Sequence, residues 1–450
     1  MHNVDDLFRR RHWSRRRGGS HLSEWPLCAV LRRCLDAHSS ILQAERKRRP
    51  LEMMMLRRSR IAAPATRAFS AAANASGEAK FEFSTPFELH RLDQGPAEFA
   101  VTNRKEMLEY YELMYTMRRM EITNDNEYKA RNIRGFCHLY DGQEAVATGV
   151  EAALDRKDSW ITSYRNHCIM LARGATVKDV LAELFGMKDG ATGGKGGSMH
   201  FYKKDTNFYG GQGIVGAQVP VGAGLAFASK YNHNGEGLMP CAITMFGDGA
   251  SNQGQVFEAA NMAALWKLPV IFCIENNHYG MGTSIQRSSN NTDYYTMGNK
   301  IPGIKCDGND VLAVRECTKF LKQWCGEGNG PIFVEMNTYR YHGHSMSDPG
   351  VTYRNRDEIS QMRATRDPIE LVKKRMIEAE LATADEIKEL EKKVRAEVVK
   401  ATKEAKASGK PDLSAAFTDV YTDGKGKNEY PPFIRFPDNA KSLYHGKPQQ

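Results

Sequence analysis

Two polar side chains follow consecutive apolar runs, at positions from which they could hold a metal ion. The run at residues 241–246 leads to Asp248, which lies between two glycines, and the run at residues 270–274 leads to Asn277. An amphipathic segment at residues 255–265 separates the runs, so the stretch predicts a βαβ unit with two parallel strands. The carboxyl ends of parallel strands are neighbours, and ligands bind in the crevice beside them. We therefore expect Asp248 and Asn277 to lie close together.

The chemistry of these side chains favours Mg²⁺. A carboxylate, an amide oxygen and a nearby backbone carbonyl are hard oxygen ligands, and this ion prefers few protein ligands together with phosphate. The glycines on both sides of Asp248 let the backbone turn sharply and approach a ligand closely. The competing interpretation is an ordinary Rossmann-type turn with an incidental Asp, since short glycine motifs recur by chance.

The flanking residues resemble those of a known family. Residues 247–254 are Gly-Asp-Gly-Ala-Ser-Asn-Gln-Gly, and residues 275–284 are Glu-Asn-Asn-His-Tyr-Gly-Met-Gly-Thr-Ser. This pattern is similar to that of thiamine diphosphate enzymes, and the flanks resemble the alpha subunits of the pyruvate dehydrogenase decarboxylating component. The resemblance extends from about residue 87 to about residue 436. It implies an α/β thiamine diphosphate-binding fold with a mostly parallel sheet and flanking helices.

The resemblance also implies which residues hold thiamine diphosphate and its Mg²⁺. Asp248, Asn277 and the carbonyl of Tyr279 would bind the metal, and Tyr164 and Arg165 would bind the diphosphate. The remaining implied cofactor contacts are Gly213 and Val215 on the aminopyrimidine side, Gly249, Ala250, His138 and His344.

Two histidines are the candidate catalytic residues. His138 lies in a glycine-punctuated loop that enters a helix, and His344 lies in a loop that follows an apolar strand predicted at residues 331–336. A lone His in such a loop is normally structural, but the resemblance places His138 at the reactive end of the cofactor. A donor there could stabilise negative charge that develops on a 2-oxo acid. A metal site made by His342 and His344 is the competing interpretation, disfavoured because no Cys or further ligand lies nearby.

The implied reaction is the oxidative decarboxylation of pyruvate, for which thiamine diphosphate supplies the difficult chemistry. Only one half of a cofactor site is found, and the resemblance implies that a beta subunit supplies the other half in an α₂β₂ heterotetramer. That assembly would feed a lipoyl-bearing acetyltransferase core. The alternatives are a branched-chain 2-oxo-acid dehydrogenase alpha subunit and a non-catalytic subunit that keeps only the fold. The run at residues 341–350 resembles the pyruvate branch.

Three hydroxyl groups match phosphorylation positions of this family, which implies a kinase and a phosphatase as partners. Ser345 is adjacent to His344, and Ser284 ends the Gly-Met-Gly-Thr-Ser run. The third position is occupied by Thr352, where the family commonly has Ser. The structural alternative is that these hydroxyls only cap turns.

The positive charge of the chain is concentrated at its start. The formal net charge is +9, and residues 1–70 contain 15 Arg and one Lys against six acids, which leaves about −1 for the remainder. A nearly neutral body gives no support to nucleic-acid binding. No apolar run approaches the length that a bilayer span requires, so membrane insertion is not expected. Nine cysteines without a CxxC pair argue against a disulfide framework or a structural zinc site.

The beginning of the chain has the composition of a targeting segment. Residues 53–69 contain Arg, Ser and Ala, and no acid follows until Glu78, which is typical of a mitochondrial transit peptide. Residues 1–52 contain acids, so we interpret them as a gene-model extension before a start at Met53, Met54 or Met55. We predict a presequence at residues 1–69, cleavage after Phe69 and location in the mitochondrial matrix; the alternative is a basic head with no targeting role.

The remaining pattern predicts the domain organisation. A thiamine diphosphate-binding α/β domain is expected at residues 87–375, and a C-terminal helix with an extended arm at residues 376–450. Thr383 and Glu386 form a capping-box pattern at the start of the C-terminal helix. The glycine-dense stretch from Lys188 lacks the order of a phosphate-binding loop and is predicted to be a flexible loop.

Overall fold

The computed structural model describes residues 77–419. The predicted presequence and its processing site lie outside the described residues, as do residues 420–450 of the predicted C-terminal arm. Within the described part, no helix is both long enough and apolar enough to cross a membrane.

The strands of this part are numbered in chain order. They are β1 Glu78–Glu82, β2 Glu88–His90, β3 Phe99–Asn103, β4 Ser159–Ser163, β5 Phe208–Gln212, β6 Ala242–Gly247, β7 Val270–Asn276, β8 Tyr279–Gly280, β9 Thr283–Ser284, β10 Gly303–Asp307 and β11 Ile332–Asn337.

The central sheet has the strand order β2-β10-β11-β7-β6-β4-β5. Every neighbouring pair in it is parallel except β2 with β10, which pairs antiparallel at one edge. Two short antiparallel pairs, β1 with β3 and β8 with β9, lie outside it. This arrangement confirms the predicted fold class, a mostly parallel sheet with flanking helices.

The helices are numbered in the same way. They are α1 Arg104–Lys129, α2 Glu144–Ala153, α3 His167–Ala172, α4 Val177–Leu184, α5 Gln218–Asn232, α6 Gly254–Leu265, α7 Ile285–Ser288, α8 Val311–Gly326, α9 Arg356–Arg366, α10 Pro368–Glu378 and α11 Ala384–Ala407.

The central strands are apolar on both faces because helices cover both faces of the sheet. Phe272 of β7 belongs to a core cluster that includes residues of α5 and α6, whereas Ile271 belongs to a second cluster with residues of α2 and α8. Alternate residues of each strand therefore enter different cores, and all seven residues of β7 are buried. This burial fixes the register of the strands, since a slip of one residue would exchange the two faces.

Helix α11 begins with the predicted capping box. The Thr383 hydroxyl accepts the Glu386 backbone N–H at 3.3 Å, and the Glu386 carboxylate accepts the Thr383 N–H at 2.8 Å. The helix contacts α1, where the Tyr111 hydroxyl donates to Glu391 at 2.8 Å. Helix α10 continues through the predicted boundary at residue 375. The division of the chain into domains stays a prediction.

Candidate active site

The carboxyl ends of β4, β6 and β7 meet at one edge of the sheet, where a cavity of about 240 Å³ opens. Asp248 follows β6, Asn277 follows β7 and Arg165 follows β4, and all three line the cavity. Adjacent parallel strands place these side chains together, although 29 residues separate Asp248 from Asn277 and 83 residues separate Arg165 from Asp248. The predicted proximity of Asp248 and Asn277 is therefore seen in the folded chain.

Asp248 carries an oxygen that no group in the described residues satisfies. The residue is 1% exposed, and its Oδ2 atom is buried without a hydrogen-bond partner. Burial raises the pKa of Asp248 to about 6, and the positive charge of Arg340 opposes that rise. A buried carboxylate oxygen without a donor is costly unless a cation or a donor compensates it.

Both polar atoms of the Asn277 side-chain amide have hydrogen-bond partners. Its Nδ2 donates to Gln143 Oε1 at 2.9 Å, while its Oδ1 accepts from Arg340 Nη1 at 2.7 Å. The Tyr279 carbonyl accepts from the same Arg340 nitrogen at 2.5 Å. Between these two oxygens lies His278, whose backbone is in the left-handed region at φ 74°.

One glycine contact shows how closely the loop of Asp248 and the turn of Tyr279 approach each other. A Cβ atom on Gly249 would lie 3.2 Å from the Cα of Gly280, which is tighter than most contacts of real Cβ atoms. The loop after β6 and the turn after β7 thus touch backbone to backbone. The resulting donor set of carboxylate, amide oxygen and carbonyl oxygen fits the chemistry of Mg²⁺.

Arg165 joins the loops of the two candidate catalytic histidines. Its guanidinium donates to the carbonyl of Leu139, next to His138, and to the carbonyl of His344 at 2.7 Å. The side chain is buried and lines the cavity. Planar guanidinium groups bind phosphate oxygens well, so its predicted diphosphate role and this bridging role are compatible.

The rings of His138, His344 and Tyr164 form one cluster. The His138 ring lies 4.3 Å from that of Tyr164 and 5.3 Å from that of His344, between centroids. Burial, followed by the charge of Arg165, lowers the pKa of His138 to about 2 and that of His344 to about 3. Both imidazoles are therefore neutral near pH 7, and His138 Nδ1 is buried without a partner.

A second cavity, of about 530 Å³, adjoins this cluster. His138, Tyr164, Val215 and His344 line it, and Val215, Tyr164 and His344 line the first cavity as well. Every predicted cofactor residue lines one cavity or the other: His138 and Gly213 line the second, and Tyr164, Arg165, Val215, Asp248, Gly249, Ala250, Asn277, Tyr279 and His344 line the first.

The predicted phosphorylation positions differ in their surroundings. Ser345 is buried and Thr352 is exposed, yet both line the second cavity. Ser284 is half-buried, precedes the short helix α7 and lines neither of these cavities. The phosphorylation of all three stays a prediction.

The competing metal site of His342 and His344 has no support in the geometry. His342 pairs with Asp141, whereas the His344 ring packs edge-on against the rings of His138 and Tyr164. Among residues 77–419, no three His, Cys, Asp or Glu side chains converge as a metal-binding group. The seven cysteines of that range are all free and buried.

Sequence reasoning missed three polar residues of the site. Glu275 accepts a hydrogen bond from the Tyr140 hydroxyl at 2.6 Å, and burial raises its pKa to about 7. Gln143 orients Asn277, and Arg340 contacts two of the proposed metal ligands. Arg340 could have been found by the rule that identified Asp248, since it follows the carboxyl end of β11.

The glycine-dense loop after Lys188 has an anchor that its sequence did not reveal. The buried carboxylate of Glu183 accepts backbone N–H groups from Thr192 and Gly194 at 2.8 Å each, from Gly196 at 2.7 Å and from Gly197 at 3.1 Å. The prediction of a flexible loop missed this contact because Glu183 belongs to α4, several residues earlier. The backbone N–H groups of the loop thus bind an anion, and that anion is the carboxylate of Glu183 in the same chain.

Comparisons with known proteins identify the family of this chain. The family model of the dehydrogenase E1 component matches residues 112–414. The pyruvate dehydrogenase E1 component subunit alpha-1, mitochondrial, of Oryza sativa subsp. japonica is 56% identical over 349 residues, which are 78% of this chain and 88% of that protein. The somatic form of the subunit alpha from Homo sapiens is 51% identical over 370 residues, 82% of this chain and 92% of that protein.

The chain therefore belongs to the dehydrogenase E1 component family, among proteins similar to mitochondrial pyruvate dehydrogenase alpha subunits. This confirms the predicted family and the mitochondrial location. Membership of the family also implies thiamine diphosphate as the cofactor.

Proposed function

We propose that the chain is the alpha subunit of the pyruvate dehydrogenase decarboxylating component and that it acts in the mitochondrial matrix. The observation that carries this proposal is the position of Asp248, Asn277 and the Tyr279 carbonyl beside the neutral His138 and His344 pair. The reaction is the oxidative decarboxylation of pyruvate with reductive acetylation of lipoyl groups. The whole complex then gives acetyl-CoA and CO₂.

The cofactors are thiamine diphosphate and Mg²⁺. Asp248, Asn277 and the Tyr279 carbonyl are the proposed metal ligands, and the unpartnered Asp248 Oδ2 supports that assignment. Tyr164, Arg165, Gly249 and Ala250 belong to the diphosphate end, while Gly213 and Val215 belong to the aminopyrimidine side. Thiamine diphosphate, when bound, supplies the carbanion and electron-sink chemistry that decarboxylation needs.

His138 and His344 serve the reaction face. Because both imidazoles are neutral, each can donate one hydrogen bond to a substrate carboxylate or a developing oxyanion without repelling Arg165. Their low pKa values also mean that they stay neutral through the physiological pH range. Arg165 fixes their separation by its hydrogen bonds to Leu139 and His344.

The proposed partner at this site is a beta subunit in an α₂β₂ heterotetramer. Exposed apolar side chains line the cavities or lie next to residues that line them: Phe136 is 60% exposed, Ile214 73% and Met281 59%. Apolar groups of this kind beside a buried polar site are what one half of a shared site would present. The further proposed partners are the lipoyl-bearing acetyltransferase core and the kinase and phosphatase that act on Ser345, Ser284 and Thr352.

The test is decarboxylation by the co-expressed alpha and beta chains, with pyruvate and branched-chain 2-oxo acids compared at equal concentration. Preference for pyruvate, measured as kcat/KM, supports the proposal. Preference for branched-chain acids would assign the chain to the related dehydrogenase. Activity that survives His138→Ala and His344→Ala would remove both histidines from the reaction.

A further inference from the structure

Arg340 is a buried cation in contact with two of the proposed metal ligands. It follows β11 and is 1% exposed. Its Nη1 donates both to Asn277 Oδ1, at 2.7 Å, and to the Tyr279 carbonyl, at 2.5 Å. The guanidinium therefore uses oxygens that a metal ion at this site would also use.

The other amino group of Arg340 holds the same turn. Its Nη2 donates to the Met281 carbonyl at 2.7 Å and to the Tyr353 hydroxyl at 3.1 Å. Two residues of this turn, His278 and Met281, have φ values of 74° and 57°, in the region that non-glycine residues rarely adopt. Such a backbone persists only where its surroundings stabilise it, and Arg340 makes three of the stabilising contacts.

Two buried polar atoms of cavity-lining residues have no hydrogen-bond partner among the described residues, and their charges indicate which kind of ligand would satisfy them. Asp248 Oδ2 is an acceptor without a donor, and Arg340 Nε is a donor without an acceptor, within the described part of the chain. Both atoms are buried, and both residues line the same cavity. A cation satisfies the first group and an anion the second, so a metal bound together with a phosphate group would satisfy both.

We propose that Arg340 is a positioning residue that holds the metal-ligand oxygens together before the metal binds and releases Asn277 and Tyr279 when the metal takes them. The proposal rests on the proposed function, because it needs the metal site at Asp248, Asn277 and Tyr279. Two cations that share these oxygens repel each other, so the metal alone binds weakly. An accompanying anion relieves the repulsion and accepts the hydrogen bonds that the guanidinium gives up.

The experiment compares Mn²⁺ binding by the cofactor-free heterotetramer with and without inorganic pyrophosphate, measured from the electron paramagnetic resonance of free Mn²⁺. In Arg340→Gln the competing charge and its hydrogen bonds are lost, and Mn²⁺ alone should bind about tenfold more tightly than in the unmodified protein. With pyrophosphate present, the same variant should bind Mn²⁺ no more tightly than the unmodified protein, because the anion loses a partner.

Arg165→Gln is the matched control. It removes another buried positive charge that acts on Asp248, but Arg165 donates to the carbonyls of Leu139 and His344 and not to the metal ligands. If the affinity for Mn²⁺ alone increases more in Arg340→Gln than in Arg165→Gln, the proposal is supported. Equal tightening, or weaker binding of Mn²⁺ alone, would overturn it.

The experiment also distinguishes a variant that does not assemble from a heterotetramer that binds no metal. If Arg340→Gln does not assemble, Arg340→Met decides, because methionine also removes the charge while its flexible side chain fills part of the same space. Its binding of Mn²⁺ alone should also be tighter than that of the unmodified protein, and unchanged binding would overturn the proposal. If the unmodified heterotetramer binds no Mn²⁺ even with pyrophosphate, the metal site of the proposed function is wrong, which is a different failure.

Discussion

The His342 imidazole lies 2.7 Å from the carboxylate of Asp141, where Nδ1 donates to Oδ2. Asp141 is three residues after His138, and His342 is two residues before His344. The pair therefore fastens the segment of one candidate catalytic histidine to the segment of the other. A second contact between these segments, from the Tyr341 N–H to the Asp141 carbonyl at 3.1 Å, runs beside it.

The charges around this pair give its stability a pH dependence. Burial opposes the charged forms of both groups, but their mutual hydrogen bond outweighs it, so the pKa of His342 is raised and that of Asp141 is lowered. Asp125 supports the charged imidazole, while Arg363 opposes it and favours the Asp141 carboxylate. Arg118 also favours that carboxylate.

We expect the contribution of His342 to be lost as the pH rises. A histidine whose pKa is raised in the folded state contributes its full stabilisation below its ordinary pKa of about 6.5. That contribution is lost as the pH rises above the raised pKa. The melting temperature of the unmodified heterotetramer should exceed that of His342→Gln by about 1–3 °C near pH 6, and this difference should shrink toward pH 9. His233→Gln, at the polar turn after α5, is the control, and a difference that is constant with pH would contradict the assignment.

Asp248→Asn tests the metal site. Loss of a charged ligand should weaken the binding of Mg²⁺ with thiamine diphosphate by roughly 2–5 kcal/mol, as measured by calorimetry. Asn252→Ala changes an exposed residue of the same turn and should leave the affinity unaltered. Unchanged affinity in Asp248→Asn would reject the ligand assignment.

Substitutions of Ser345 test whether phosphorylation at this position controls the activity. It is buried, its hydroxyl lies 2.9 Å from that of Ser347, and it follows His344 directly. A phosphate there adds about −1.5 to −2 charge near an anionic cofactor and substrate, so it should repel both and disorder the loop. We expect Ser345→Glu to lose most of its activity with little change in the thermal stability of the cofactor-bound enzyme.

Ser345→Ala should stay active and resist inactivation by kinase and ATP, with Ser284→Ala as the comparison. If the kinase still silences Ser345→Ala fully, control belongs to Ser284 or to another position. The readouts are the residual decarboxylase activity and the phosphate incorporated per chain.

The mature amino terminus tests the presequence prediction. Protein recovered from mitochondria should begin near Ser70, because the Arg-rich, acid-poor composition of residues 53–69 is that of a removed transit segment. Mass spectrometry of the intact protein and of its peptides measures this. Abundant mature peptides from residues 15–25 would reject both the processing site and the proposed start at Met53, Met54 or Met55.

The sequence was sufficient where local pattern decides the structure. The βαβ unit around Asp248 has long apolar runs, a helical period and glycines, and its observed bounds differ from the prediction by only one or two residues. The capping box at Thr383 is equally local. The side chains that follow parallel strands could be predicted to lie close together, because the carboxyl ends of parallel strands meet at one edge of the sheet.

The sequence did not predict elements and contacts that depend on residues far away in the chain. Strand β5 contains two glycines and has the composition of a turn, yet it pairs with β4, where Trp160 is opposite Phe208. Strand β10 was not predicted either, since its five residues include Gly303, Lys305 and Asp307. Tertiary pairing outweighs the weak intrinsic preference of such short segments. The contacts of Arg340 likewise depend on a turn about sixty residues away.

The anchor at Glu183 determines when the glycine-dense loop loses its conformational freedom. Glycine has more backbone entropy to lose than any other residue, and a loop that waited for its ligand would subtract that loss from the ligand's affinity. Because four backbone N–H groups already bind the Glu183 carboxylate, the loss occurs as the chain folds. A free phosphate or nucleotide could enter this loop only by displacing a carboxylate that is part of the same chain.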